Sequence, residues 1–217
     1  MPLMSHAELD SPEPTPGGDT PAVAIAARKR PKPGERRVQI LQALATMLEQ
    51  PGAERITTAA LAARLDVSEA ALYRHFASKA QMFEGLIEFI EQSVFTLINQ
   101  ITEREPAGPA QAGRIVAMLI QFAEKNPGMT RVMVGDALVF ENDRLQQRMN
   151  QFFDKVEASL KQCLRQAGGD APAPTVDASV RASVLTAFTV GRLQRFARSG
   201  FKRMPSEHLD AGLARML

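Results

Sequence analysis

Between Ile56 and Phe76 the sequence leaves little choice but two short helices joined by a tight turn. Thr57 is a residue whose hydroxyl can accept a hydrogen bond from an orphan N–H and so start a helix. Leu61 and Leu65 lie four apart and face one side of it. Asp66-Val67 makes a turn, with Val67 plugging the space between two helices, and Ser68 caps the second helix. Leu72 and Phe76, again four apart, anchor that second helix to a core.

At 100° per residue, an inward face defined by Leu72 and Phe76 turns Ala70 and Arg74 directly outward. Ala71 and Tyr73 flank them, and His75 sits at the boundary. A helix entering the major groove needs small residues where its backbone approaches the bases and donors where it passes phosphates. This face has both, and Lys79 adds a charge close by. The segment therefore reads as a helix-turn-helix for double-stranded DNA. Its expected DNA-facing residues are Thr57, Thr58, Ser68, Glu69, Ala70, Ala71, Tyr73, Arg74, His75 and Lys79, joined by Arg36 and Arg37 from the preceding helix. A plain hairpin of helices inside an all-α protein would explain the leucines. It would not explain two capped helices with an outward aromatic–arginine–histidine run.

The rest of the chain from Glu35 onward also reads as helix after helix, with no alternating strand pattern. Val38, Leu41, Leu44 and Leu48 mark the first helix, which Pro51-Gly52 stops. Ser78 and Gln81 form a capping box ahead of a stripe made of Met82, Leu86, Ile90, Val94, Ile98 and Ile101, ended by Pro106. A helix from about Pro109 to Lys125 turns Ile115, Met118, Leu119 and Phe122 inward, and Asn126-Pro127-Gly128 breaks it. Leu145, Met149, Phe152, Val156, Leu160 and Leu164 then mark one long helix running to Gly168-Gly169. After a Pro-rich link at 170–174, Val180, Val184, Phe188, Leu193 and Phe196 mark the last substantial helix, and 205–217 forms a short terminal one.

Seven of the fourteen prolines fall in residues 1–34, too many for a helix or a core, so this segment reads as a disordered tail. It ends in a basic run of Arg28, Lys29, Arg30 and Lys32, which is either a solubilising tail or an arm along DNA phosphates. The net charge of +2 carries no information on partners. The single cysteine, Cys163, excludes an intrachain disulfide and reads as packing. His6, His75 and His208 share no ligand spacing, so no metal is expected. No apolar run reaches the roughly 18 residues of a membrane span, and the basic residues follow the short apolar stretch at 22–27 instead of preceding it, unlike a signal peptide. A cytoplasmic protein is expected. No Gly-rich phosphate loop or nucleophile motif points to an enzyme, and no cofactor is expected.

The pairs Thr57-Thr58, Leu61-Ala62, Val67-Ser68, Leu72-Tyr73, His75-Phe76 and Ser78-Lys79 resemble the signature of TetR-type regulators. The stretches 40–49, 67–76, 86–91, 126–131 and 140–148 resemble, more narrowly, the SlmA family of nucleoid occlusion factors within that group. The resemblance covers about residues 35–205 and implies an all-α, TetR-like fold. Residues 35–79 would form a three-helix DNA-binding domain, and 80–217 a larger helical body for dimerisation and partner binding. It also implies a job: binding palindromic sites on the nucleoid and, while bound, contacting the division tubulin FtsZ and disrupting its polymers. The partner surface would lie around the fourth and fifth helices, at Phe89, Leu97, Met118, Gln121, Lys125 and Asn126. Here the chain departs from the family's pattern, with Leu97 in place of a basic residue, Gln121 in place of glycine, and Lys125 in place of arginine. Asp66 likewise stands where the turn normally has glycine. Aspartate tolerates a left-handed backbone better than most residues.

A homodimer follows from geometry, since one recognition helix reads only a few base pairs. The helices around 145–165 and 178–198 are the expected interface, with Gly191 either allowing close approach of two subunits or simply packing within one chain. The other functional reading is a ligand-responsive TetR-type repressor, with phenylalanines and methionines of the body lining a pocket. The same residues suit a plain core better.

Overall fold

The computed structural model describes residues 34–50, 56–167 and 174–217. The Pro-rich tail with its basic run, the Pro51-Gly52 stop, Gly168-Gly169 and most of the Pro-rich link lie outside the described residues. Within them the secondary structure is helical throughout, as expected, with no strand. In order come α1 (Glu35–Leu48), α2 (Thr58–Arg64), α3 (Glu69–Tyr73), α4 (Lys79–Arg104), α5 (Pro109–Lys125), α6 (Pro127–Met133), a 3₁₀ turn (Asp136–Leu138), α7 (Asp143–Ala167), α8 (Pro174–Arg198) and α9 (Leu209–Met216).

Local chemistry accounts for most of the boundaries. Ser78 Oγ accepts from the Gln81 N–H at 3.2 Å, and Gln81 Oε1 accepts from the Ala77 N–H at 2.8 Å. The capping box thus closes one residue earlier than its standard form, on the residue before the cap. Glu105, which precedes Pro106, leaves α4 in an extended conformation because a helical one would clash with the proline ring. Asn126-Pro127-Gly128 interrupts the chain for a single residue only. Asn126 ends α5, and Pro127 takes the first position of α6, where its missing N–H costs nothing. The sequence reading runs from this break directly to the long helix and misses α6.

One continuous core runs from α1 through α4 and α5 to α7 and α8. The stripe of α4 is buried as expected, except that Ile101 is half-buried, and all six marker residues of α7 are buried. Two assignments change. Val38 is 53% exposed, and Ile40 and Ala45 take the inward face of α1 with Leu44 and Leu48. On α5, Val116, Ile120 and Ala123 are buried with Ile115 and Leu119, while Met118 and Phe122 are only half-buried.

α7 and α8 form the most extensive helix pair. The buried face of α8 includes Ala178, Ala182, Leu185, Thr189, Leu193 and Phe196. Val176, Val180 and Val184, four apart, form an exposed apolar stripe on its other side. Gly191 falls on that same side, and a Cβ there would meet nothing within 4 Å.

Candidate nucleic-acid interface

The N-terminal helices hold α3 by three separate devices. Thr57 Oγ1 accepts from the Ala60 N–H at 3.1 Å and Ser68 Oγ from the Ala71 N–H at 3.3 Å, the two caps read from sequence. The turn between them is a Schellman motif: Asp66 N–H donates to Ala63 O and Val67 N–H to Ala62 O, both at 3.1 Å. Asp66 occupies its left-handed position at φ 54°, the conformation expected for a residue replacing glycine. Thr58 then donates to Glu69 Oε2 at 2.5 Å, tying the start of α2 to the start of α3, and the Tyr73 hydroxyl stands 3.5 Å from Thr58 Oγ1.

α3 itself ends at Tyr73, but Arg74 keeps helical angles, so the outward projection survives. Leu72 and Phe76 are 1% exposed, whereas Tyr73 is 46% exposed and Ala70, Arg74 and His75 are exposed as well. Ala71 is half-buried. A small-residue start followed by an aromatic and a cation therefore faces outward from a clamped helix.

Three of the basic residues are engaged within the chain. Arg36 donates to Gln39 Oε1 at 3.1 Å along α1. Arg37 lies 4.1 Å above the Phe76 ring and donates to His75 O at 2.6 Å. Lys79 pairs with Glu141, in the loop before α7, and stands 5.7 Å from the Phe83 ring. Glu141 and the Arg37–Phe76 stacking are absent from the sequence reading, because the partners are 62 and 39 positions apart and leave no local pattern. Two further pairs join α7 to α4: Arg144 with Glu84, and Arg148 with Glu91 through two bonds of 3.1 and 2.6 Å. Hydrogen bonding to Glu91 raises the Arg148 pKa further, against the lowering by burial.

On the body, Leu97, Met118 and Gln121 line one shallow cleft between α4 and α5, together with Arg104 and Arg114. Phe89 and Lys125 are exposed outside it, and Asn126 is half-buried, with its amide donating to Phe122 O at 2.8 Å. Three phenylalanines of the body pack against one another: Phe95, Phe152 and Phe153 meet edge to face at 5.6 and 5.0 Å. A cleft of about 500 Å³ has a mixed lining, with Ile98, Ala107 and Ala158 beside Asn99, Thr102, Gln111, Ser159, Gln162 and Gln166. Cys163 also borders it but is 2% exposed, and burial pushes its thiol pKa up, as befits a packing residue. No described helix is long and apolar enough to cross a membrane.

Residues 40–86 match the family model for bacterial regulatory proteins of the tetR family, and residues 110–215 match the SlmA-like tetracyclin repressor-like C-terminal domain. The chain is 52% identical to the nucleoid occlusion factor SlmA of Idiomarina loihiensis over 188 residues, covering 86% of this chain and 94% of that protein. It is 52% identical to the SlmA of Photobacterium profundum, covering 82% and 92%. Among solved structures, the fatty acid degradation regulator FadR of Bacillus halodurans superposes with a TM-score of 0.70 at 13% identity, covering 86% of this chain and 97% of that one. A TetR regulator of Legionella pneumophila gives 0.67 at 14% identity, covering 85% and 97%. These two share the fold. The chain belongs to the SlmA family of TetR-type, DNA-binding helix-turn-helix proteins.

Proposed function

We propose that this protein is a homodimeric nucleoid occlusion factor that reads palindromic DNA and, while bound, antagonises FtsZ assembly. The observation that carries the DNA part is the outward set of Ala70, Tyr73, Arg74 and His75 on a helix pinned from behind by Leu72 and Phe76. Thr57 and Ser68 present exposed hydroxyl caps beside it, and Thr58 and Glu69 brace it, leaving Tyr73 and Arg74 as the side chains that reach the groove. Residues 35–79 are the DNA-reading part and 80–217 the body, with α4 beginning at the boundary.

The dimer face is the exposed stripe of Val176, Val180 and Val184, with Gly191 on the same side of α8. Three valines at helical spacing in solvent are the mark of a surface that another helix covers. The FtsZ-facing surface is the α4–α5 face, where Leu97, Met118 and Gln121 meet in one cleft flanked by exposed Phe89 and Lys125. The protein then acts at the nucleoid, in the cytoplasm. The packing of Phe95, Phe152 and Phe153 against one another favours this reading over ligand-controlled repression.

Sedimentation of FtsZ polymers tests the proposal. Protein with palindromic site DNA should reduce pelleted FtsZ more than the protein alone or with scrambled DNA. Unchanged pelleting in the presence of site DNA would overturn it.

A further inference from the structure

A second charged feature lies at the far end of α8. The segment after this helix folds into a braced loop. Gly200 N–H donates to Ala197 O and Phe201 N–H to Phe196 O, and the Phe196 and Phe201 rings meet at 5.1 Å. Phe201 has φ 64°, a left-handed conformation that is costly for a bulky residue and persists only where the surroundings impose it. Ser199 Oγ accepts from the N–H groups of Lys202 and Arg203, and the Ser206 N–H donates to Glu124 of α5.

Between this loop and α8 is a cleft of about 360 Å³ lined by Arg192, Arg195, Arg203, Met204, Pro205 and Glu207. Three guanidinium groups face one carboxylate. Arg192 is fixed in place: Nη1 donates to Pro205 O at 3.0 Å and Glu207 O at 2.6 Å, and the group stacks 4.4 Å from the Phe188 ring. Its Nε is buried and has no hydrogen-bond partner. Among the described residues, the side chains of Arg195 and Arg203 have no hydrogen bond or ion pair.

Cations in the last turn of a helix complement its dipole, which accounts for Arg195 on α8. It does not account for Arg203, which lies beyond the helix. Forked guanidinium groups match the oxygens of phosphate, and several converging on a pre-shaped cleft suit an anion with more than one charge. The volume falls within the range of small-molecule sites.

We propose that this cleft binds a small phosphorylated ligand through a diphosphate-like group held by Arg192, Arg195 and Arg203. The site is separate from the DNA-reading helix and from the α4–α5 face.

Calorimetric titration of the full chain with inorganic pyrophosphate, at constant ionic strength, tests this. One site per chain is expected, with at least a tenfold loss of affinity in Arg195→Ala/Arg203→Ala. Arg195→Lys/Arg203→Lys, which keeps charge but loses the forks, should show an intermediate loss and serves if the alanine variant fails to fold. Equal pyrophosphate affinity in wild type and in whichever of these variants folds would overturn the proposal. So would an equal response to sodium chloride of matched ionic strength.

Discussion

The guanidinium of Arg37 lies 4.1 Å above the ring of Phe76 while its Nη1 donates to the carbonyl oxygen of His75 at 2.6 Å. One side chain of α1 thus covers the outer side of the anchor of the recognition helix and caps the carbonyl that follows it. A cation over an aromatic ring contributes roughly 0.5–2 kcal/mol, and a charged hydrogen bond about 1.5–3 kcal/mol. Arg37→Ala should therefore lower affinity for site DNA about tenfold by loosening the helix. A phosphate contact behaves differently, since losing one reduces the slope of log affinity against log salt by about 0.9. We expect the affinity to fall with the slope unchanged; a slope reduced by about one would make Arg37 a phosphate ligand instead.

Lys79 presents the opposite case. Its ammonium pairs with Glu141, whose side chain is 9% exposed. A DNA phosphate and this carboxylate compete for the same cation. Glu141→Gln should release Lys79, raise affinity at low salt and steepen the salt slope by about 0.9. If the shift assay gives wild-type affinity and slope for this variant, Lys79 is a strut between the start of α4 and the loop before α7 and does not touch DNA.

These two residues also mark the limit of what sequence can reveal. The caps at Thr57, Ser68 and Ser78 are legible because a cap is a contact over three residues, and the left-handed Asp66 because a turn is equally local. The burial of α7 is legible because a single 3–4 pattern fits it. On α1 two patterns fit, 38–41–44–48 and 40–44–48, and only packing decides that Ile40 goes in and Val38 stays out. α6 is hidden because seven residues, the first of them a proline, are too few for a period to emerge. The ties of Arg37 and Lys79 depend on the completed fold.

Gly128 shows how closely α6 seats on α1. A Cβ at this position would overlap the backbone carbonyl of Ala45, which cannot rotate away as a side chain would. Overpacking of this kind costs about 1–3 kcal/mol or more. Gly128→Ala should lower the urea midpoint by roughly 1 M, that energy divided by a urea slope of about 1–3 kcal/mol per M, with helical content retained in the absence of urea. A midpoint within error of wild type would mean that α6 is free to shift away from α1.

The valine stripe of α8 gives the test of the dimer. Val180 and Val184 are 58% and 47% exposed in the single chain, so a carboxylate at either position meets water and leaves the fold of the subunit intact. In a dimer built on this face the same carboxylate would be desolvated near the two-fold axis, opposite an apolar surface or its own copy, at a cost of several kcal/mol. Val180→Asp/Val184→Asp should therefore run as a monomer in light scattering at micromolar concentration, with an unchanged circular dichroism spectrum. Its affinity for a palindromic site should collapse toward that for a half-site, because each subunit then pays separately to dock. A dimer of wild-type strength in this variant would exclude α8 as the interface and move the two-fold axis to another face of the body.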